Sequence, residues 1–393
     1  MDKFCTTHAK NSELENKPNF CIVINGIHAK SGGGVTYLRH ILPILAKFRD
    51  TDIHLFIHKN QFDLFYPIDE RINVTLLSFN PNIFNTLLWE QIAIPLKAWA
   101  MGCSVLFSPA NYGPILARNH VILLRNAISV IAIAQNPRQI IYWMGMALAT
   151  LASFLSAKRV IAVSNYAQKL MSFKLPKIFT KKCEVVHHGV KQISISEKQN
   201  GCLGTDLLAV SDIYVQKNYY KLIQSFAKIV EKRSGLRLII IGERIDQSYA
   251  KKLDNLIEKL GIEEQVVFKG KVNTLEVMEC YKNCRVFVFP SLVETFGNTL
   301  LEAMIVGVPI ACSKSAAMPE VLGDCGVFFD PDDEFDIADK VETLLDNEEL
   351  SIELAQKASD RAAHFRWEKT VKQTFSILMD AANKNQNVKC KIR

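Results

Sequence analysis

Short apolar runs rich in Val and Ile alternate with segments of helical periodicity along most of the chain. Residues 21–25, 53–58, 105–107, 121–124, 160–164 and 184–187 read as strands, and 35–47 reads as a helix. Runs that are apolar throughout, not alternately, are what parallel strands covered on both faces require. The pattern pauses at the polar, Gly-containing stretch 191–206 and then restarts. Strands are predicted at 207–211, 238–242, 266–269, 286–290, 309–312 and 326–329, with helices at 219–232, 249–260, 274–283 and 299–305. Alternation of this kind predicts α/β architecture with two Rossmann-like, doubly wound domains, residues 1–195 and 196–370. Ligands of open parallel sheets lie beyond the carboxyl ends of the strands, so both domains are expected to face an interdomain cleft.

Composition refines this picture. The 393 residues are 49% hydrophobic and 22% charged, a folded composition long enough for two cores. Residues 1–190 hold 20 Lys and Arg against 10 Asp and Glu, whereas the remainder is slightly acidic. A basic first half suits an anionic membrane face or an anionic substrate, and simple surface solubility explains it equally well. The ten cysteines lack metal-ligand spacing and read as reduced core thiols of a cytoplasmic protein. The first 20 residues carry no apolar signal segment. Residues 140–157 hold no charge, but they lead straight into a core strand and read as a buried or membrane-touching helix, not a spanning one.

The most informative stretch is 290–307, PSLVETFGNTLLEAMIVG. A strand ends at Pro290, a loop carries Glu294, and a helix begins near Asn298 with Glu302 about one turn inside. Phe296, Gly297, Asn298 and Thr299 offer backbone amides without intrahelical partners, which makes an anion site at the positive end of the helix dipole. Gly297 removes a side chain where phosphate oxygens come close. The two carboxylates must then point away from the phosphates, toward sugar hydroxyls.

This stretch resembles the E-x7-E motif of the retaining nucleotide-sugar glycosyltransferases of family 4, which have the GT-B fold. The resemblance places Glu294 against the donor sugar and Glu302 on the ribose hydroxyls, and it implies Glu294, Lys217 and Asn126 as catalytic groups. Residues 208–218, LAVSDIYVQKN, resemble the first strand and loop of the donor domain, with Lys217 on the diphosphate. The family's usual arginine about five residues earlier is replaced by Asp212, so another cation must substitute, and Arg244 is one candidate. Residues 268–272, FKGKV, resemble the stretch whose backbone contacts the base, which brings in Lys271 and Val272. Residues 315–320 resemble a later donor-domain segment, His187–Val190 as HHGV the hinge-side turn, and 365–368 the start of the last helices. Residues 371–393 are thereby expected to form a helix returning to the first domain and a mobile charged tail.

The first domain matches less closely, as a binder of a variable acceptor would. Gly32, Gly33 and Gly34 lie between a strand and a helix, where Gly33 and Gly34 could approach the donor phosphates, although a flexible turn also explains them. Many relatives carry a His at the end of a central strand, and this chain offers Arg125 and Asn126 there. Residues 108–113 are a further acceptor-side candidate. The Asp330-Pro331-Asp332 sequence reads as a turn before an acidic helix start, not a metal site.

The expected reaction is sugar transfer from a nucleotide-diphosphate sugar to a hydroxyl of a glycan or lipid-linked acceptor, such as an envelope glycan, with retention. No metal, cofactor or nucleic-acid partner is expected. Location is expected to be cytoplasmic, peripheral on the inner membrane face. Two other classes fit the same fold. A nucleotide-sugar epimerase would turn over donor without acceptor, and a non-catalytic membrane-associated homologue would not turn it over at all.

Overall fold

The computed structural model describes residues 20–126, 137–194 and 204–382. The expected polar amino terminus, the domain boundary at 195 and the charged tail lie outside these residues. Two all-parallel sheets form the framework. The first contains β1 (Phe20–Asn25), β2 (Thr51–His58), β3 (Ile72–Leu77), β4 (Val105–Ser108), β5 (His120–Leu124), β6 (Arg159–Ala162) and β7 (Cys183–Val185), in the order β3-β2-β1-β4-β5-β6-β7. The second contains β8 (Asp206–Val210), β9 (Leu238–Ile241), β10 (Val266–Gly270), β11 (Cys284–Phe289), β12 (Ile310–Ser313) and β13 (Val327–Phe329), in the order β10-β9-β8-β11-β12-β13. The direction of winding reverses between β1 and β4 and again between β8 and β11, the places where open sheets hold ligands.

Strands β1, β4, β5 and β8 carry almost entirely buried residues, matching their uninterrupted apolar sequences. Edge strand β3 was not expected. Its INVTLL sequence mixes buried Ile72 and Leu77 with exposed Asn73, a half-solvated pattern that a reading tuned to buried runs passes over. The helical run from Ile83 to Ala100 was also not expected, because it exposes much of its apolar surface instead of packing it into the core.

The Trp367–Ala381 helix packs on the first domain through its buried stripe. Phe375 stacks on Phe48 at 4.2 Å between ring centres, Thr374 meets the Tyr37 hydroxyl at 3.3 Å, and Arg159 pairs with Asp380. Its start is joined to the hinge segment: the Val190 amide donates to the Phe365 carbonyl at 2.9 Å and the Thr370 hydroxyl to the His187 carbonyl at 2.7 Å. Further bonds tie the domains beside the cleft. Ser164 Oγ donates to the Thr295 carbonyl and Thr295 Oγ1 to the Arg125 carbonyl, each at 2.5 Å. Glu320 accepts from the Asn165 and Tyr166 amides at a helix start and lies 2.7 Å from His187 Nε2.

Candidate active site between the two sheets

The loop after β11 ends in Gly297, whose φ of +90° an L side chain rarely adopts, and the Asn298–Val306 helix follows with no side-chain cap. Its first amides therefore open toward the space between the sheets. Opposite, the helix Gly32–Leu45 also begins without a side-chain cap, after Ser31, with Gly32 at φ +54°. The two helix starts come together closely enough that a Cβ on Gly33 would lie 3.5 Å from Asn298 Nδ2. Between them lies a cleft of about 490 Å³ whose walls include His28, Arg125, His188, Lys217, Glu294 and Gly297.

Lys217 ends a short 3₁₀ turn, Val215–Lys217, held by the left-handed Asn218, whose side-chain amide donates to the Pro331 carbonyl at 2.7 Å. The Leu292 amide donates to the Gln216 carbonyl at 2.9 Å and brings the two loops together. Lys217 Nζ then meets Glu294 Oε1 at 2.5 Å, with both side chains more than four-fifths buried. Asp212 also lines the cleft, but its carboxylate accepts from the Glu243 amide at 2.9 Å and shapes the loop after β8.

Arg125 follows β5 directly and lies under Gly34, where any Cβ would come within 2.6 Å of the guanidinium. Its Nε donates to the Pro109 carbonyl at 2.8 Å, and burial pushes its pKa down to about 10. This is a desolvated cation, held by backbone oxygens and open to the cleft. His188 is buried beside it. Its Nδ1 lies 3.0 Å from Asn298 Oδ1, and its Nε2 has no hydrogen-bond partner among the described residues. Burial pushes the imidazole down to about 4, so it is neutral near pH 7. In the sequence His188 is marked only by the HHG turn of the hinge-side segment.

Of the residues singled out from sequence, Gly32, Gly33, Arg125, Asn126, Asp212, Lys217, Glu294, Phe296, Gly297, Asn298 and Thr299 line this cleft. The others lie elsewhere. Gly34 is buried against the Arg125 guanidinium and does not line the cleft. Arg244, the candidate for the missing arginine, does not line the cleft: it pairs with Asp254 at 2.6 Å and lies over the Phe268 ring at 4.4 Å. Lys271 is mostly exposed and pairs with Glu243 at 3.2 Å, and Val272 packs against the core. Neither lines the cleft.

Glu302 lies in an adjoining pocket of about 220 Å³ that shares Asn298 with the cleft. Thr36, His40, Leu275, Met278 and Trp367 are among its walls. Burial pushes the Glu302 carboxyl up to about 7, opposed by a hydrogen bond with Tyr281, whose hydroxyl also reaches the Thr299 carbonyl at 3.1 Å. A carboxyl raised in the folded state adds stability fully below its unfolded value of 4.5, and that contribution falls as pH rises through 7. Ligand-free protein should therefore lose melting temperature on going from about pH 5 to pH 8 more than Glu302→Gln does; parallel curves would contradict this placement.

Among the described residues one cluster, Cys21, Asp52 and His54, could hold a metal ion, but it lies at the amino ends of β1 and β2, away from the cleft. The acidic turn at 330–333 is closed on itself: the Asp332 amide donates to Asp330, and Asp333 caps the Glu334–Asp346 helix.

Residues 204–364 match the family model described as glycosyl transferases group 1. The O-antigen chain mannosyltransferase B of Escherichia coli is 28% identical over 232 residues, 56% of this chain and 60% of that protein. The N-acetylgalactosamine-N,N'-diacetylbacillosaminyl-diphospho-undecaprenol 4-alpha-N-acetylgalactosaminyltransferase of Campylobacter jejuni is 27% identical over 209 residues, 51% of this chain and 55% of that protein. The chain thus spans little more than half the length of these relatives. The solved sucrose-phosphate synthase of Thermosynechococcus elongatus superposes with a TM-score of 0.75 at 16% identity, over 92% of this chain and 98% of that one. The Anabaena HepE complex with UDP-glucose gives 0.71 at 17% identity, over 92% and 99%. The fold is GT-B, two Rossmann-like domains around a cleft.

Proposed function

We propose that the protein is a glycosyltransferase of family 4 type that moves a sugar from a nucleotide-diphosphate sugar to an acceptor hydroxyl with retention at the anomeric carbon. The observation that carries this reading is the meeting of two uncapped helix starts, Gly32–Leu45 and Asn298–Val306, over the Lys217–Glu294 pair. Fixed amides and a lysine suit a diphosphate, and they stabilise the charge that grows on it as the sugar leaves. Arg125 is the second cation, in place of the arginine that Asp212 displaces, because it is desolvated and faces the same cleft. The diphosphate takes Lys217, which frees Glu294 to turn to the donor sugar. The nucleoside enters the adjoining pocket, where Glu302 accepts the ribose hydroxyls.

The match of residues 204–364 to a glycosyltransferase model and the UDP-glucose held by a protein of the same fold support this reading. A thermal-shift panel of UDP-, GDP- and ADP-sugars tests it, since ligand that binds only the native state raises the melting temperature. One class should stabilise the protein, and Glu302→Gln should weaken that binding by about ten-fold, the worth of one charge-assisted bond lost. No shift with any nucleotide sugar would sink the proposal. Retention is checked by the anomeric configuration of the product.

The acceptor proposed is lipid-linked, as the printed names of relatives acting on O-antigen chains and on a diphospho-undecaprenol suggest for those proteins. Ile83, Phe84 and Trp99 of the helical run after β3 are 72–80% exposed, and Ile141 and Leu148 of the Pro137–Ser156 helix are about 70% exposed. Among the described residues no helix is long and apolar enough to cross a membrane. These helices with the basic first half fit peripheral binding to an anionic surface. Liposome flotation should show binding to anionic vesicles that Trp99→Ser with Phe84→Ser weakens at least about five-fold, whereas equal recovery on neutral vesicles would remove the idea.

A further inference from the structure

A second constellation, in the wall supplied by the first domain, rests on the transferase reading and concerns the acceptor. The helical run after β3 is interrupted by one π-helical turn, Trp89–Ala93. Such a turn inserts a residue into the helical register and re-aims the side chains around it. Here it buries the carboxyl of Glu90 completely. Oε1 accepts from Asn25 Nδ2 at 2.9 Å and lies 2.8 Å from His28 Nε2, while Oε2 has no hydrogen-bond partner among the described residues. A carboxyl placed in the core without lysine or arginine costs several kcal/mol, and an arrangement this expensive is seldom kept for packing alone.

His28 is the member of this set that reaches the cleft. With Nε2 bound to the carboxyl, Nε2 carries the proton and Nδ1 is left as an acceptor. A hydroxyl already approaches Nδ1: the Tyr112 Oη lies 3.2 Å away, and the two rings meet edge to face at 4.6 Å. The next residue of the π turn fixes that tyrosine's loop. Gln91 accepts from the Ile115 amide at 2.9 Å and donates to the Gly113 carbonyl at 3.2 Å. Two successive residues therefore hold the histidine and the loop that carries the tyrosine.

We infer that His28 and Tyr112 form the subsite for the attacking hydroxyl of the acceptor, His28 Nδ1 accepting its hydrogen bond, and that Glu90 is the residue that positions His28. The Tyr112 hydroxyl occupies Nδ1 until an acceptor arrives and then hydrogen bonds to the incoming oxygen. Holding the hydroxyl at a fixed point beside the donor sugar is the orientation that converts a bound pair into a reactive one.

Two measurements test this. Nuclear magnetic resonance of isotope-labelled histidine should show His28 as the Nε2–H tautomer in the wild type and a changed tautomer in Glu90→Gln; an Nδ1–H wild type, or no change in the variant, overturns the positioning role, and this measurement needs no donor. With UDP-glucose or GDP-mannose, whichever binds, and water as the acceptor, His28→Asn and Glu90→Gln should slow nucleotide release about thirty-fold while nucleotide affinity stays within about two-fold, since only the attacking group is displaced. Wild-type release in His28→Asn overturns the subsite. A wild type that binds no nucleotide sugar refutes the transferase reading instead, a result distinct from either. A Glu90→Asp variant that recovers the tautomer and part of the rate separates positioning from loss of fold.

Discussion

Replacing Lys217 with Ala should lower sugar transfer by about a hundred- to a thousand-fold, the usual cost of removing one fixed group that stabilises transition-state charge. Lys217 sits at the end of a short turn in the wall of the cleft, so its loss removes a charge from the cleft without opening a cavity in the core. The melting temperature should change little, and the nucleotide should still bind through the helix amides and Glu302. Since Lys217 and Glu294 meet at 2.5 Å, Glu294→Gln should not add its full cost to Lys217→Ala. Initial rates of the two single variants and the double variant, with circular dichroism as a control for fold, check this. Full turnover in Lys217→Ala would remove the lysine from the site.

A large loss of stability is expected from Gly189→Ala. Gly189 lies in the hinge segment where the chain meets the start of the Trp367–Ala381 helix. A Cβ there would lie 2.2 Å from the Trp367 backbone nitrogen and 2.6 Å from the Arg366 carbonyl carbon. These are backbone atoms with no rotamer to change, so the hinge and the returning helix must part. The loss should reach about 3 kcal/mol, the upper range for overpacking, because the bridge between Val190 and Arg366 and the Tyr37, His188 and Trp367 ring cluster depend on the same approach. Denaturant unfolding measures it, and a change below about 1 kcal/mol would mean that the segment relaxes freely.

The doubly wound sheets were legible because buried parallel strands must be largely apolar on both faces, as the cores of β1, β5, β8 and β11 are. The uncapped helix at Asn298 was legible for a similar reason: Gly297 after a strand and before a helical period leaves few conformations open. Edge strand β3 and the Ile83–Ala100 run were not, since each is stabilised on one side only and neither period is clean. The neighbours of Arg244 were hidden because local sequence shows that a cation is near a loop but not that Asp254 and Phe268 claim it first. His188 owes its place to the approach of the two domains, which brings it against Asn298, 110 positions away. The buried Glu90 was invisible because the Ile83–Ala100 run around it has no clean helical period, and only the π turn takes its carboxyl inward to Asn25 and His28.

A crystal structure with the nucleoside diphosphate chosen by thermal shift tests the central claim most directly. The diphosphate should lie within hydrogen-bond distance of the amides at Gly297, Asn298 and Thr299, with Lys217 drawn from Glu294 onto it and the ribose against Glu302. A diphosphate bound elsewhere, with the Lys217–Glu294 pair intact and the Asn298 helix start empty, would contradict it.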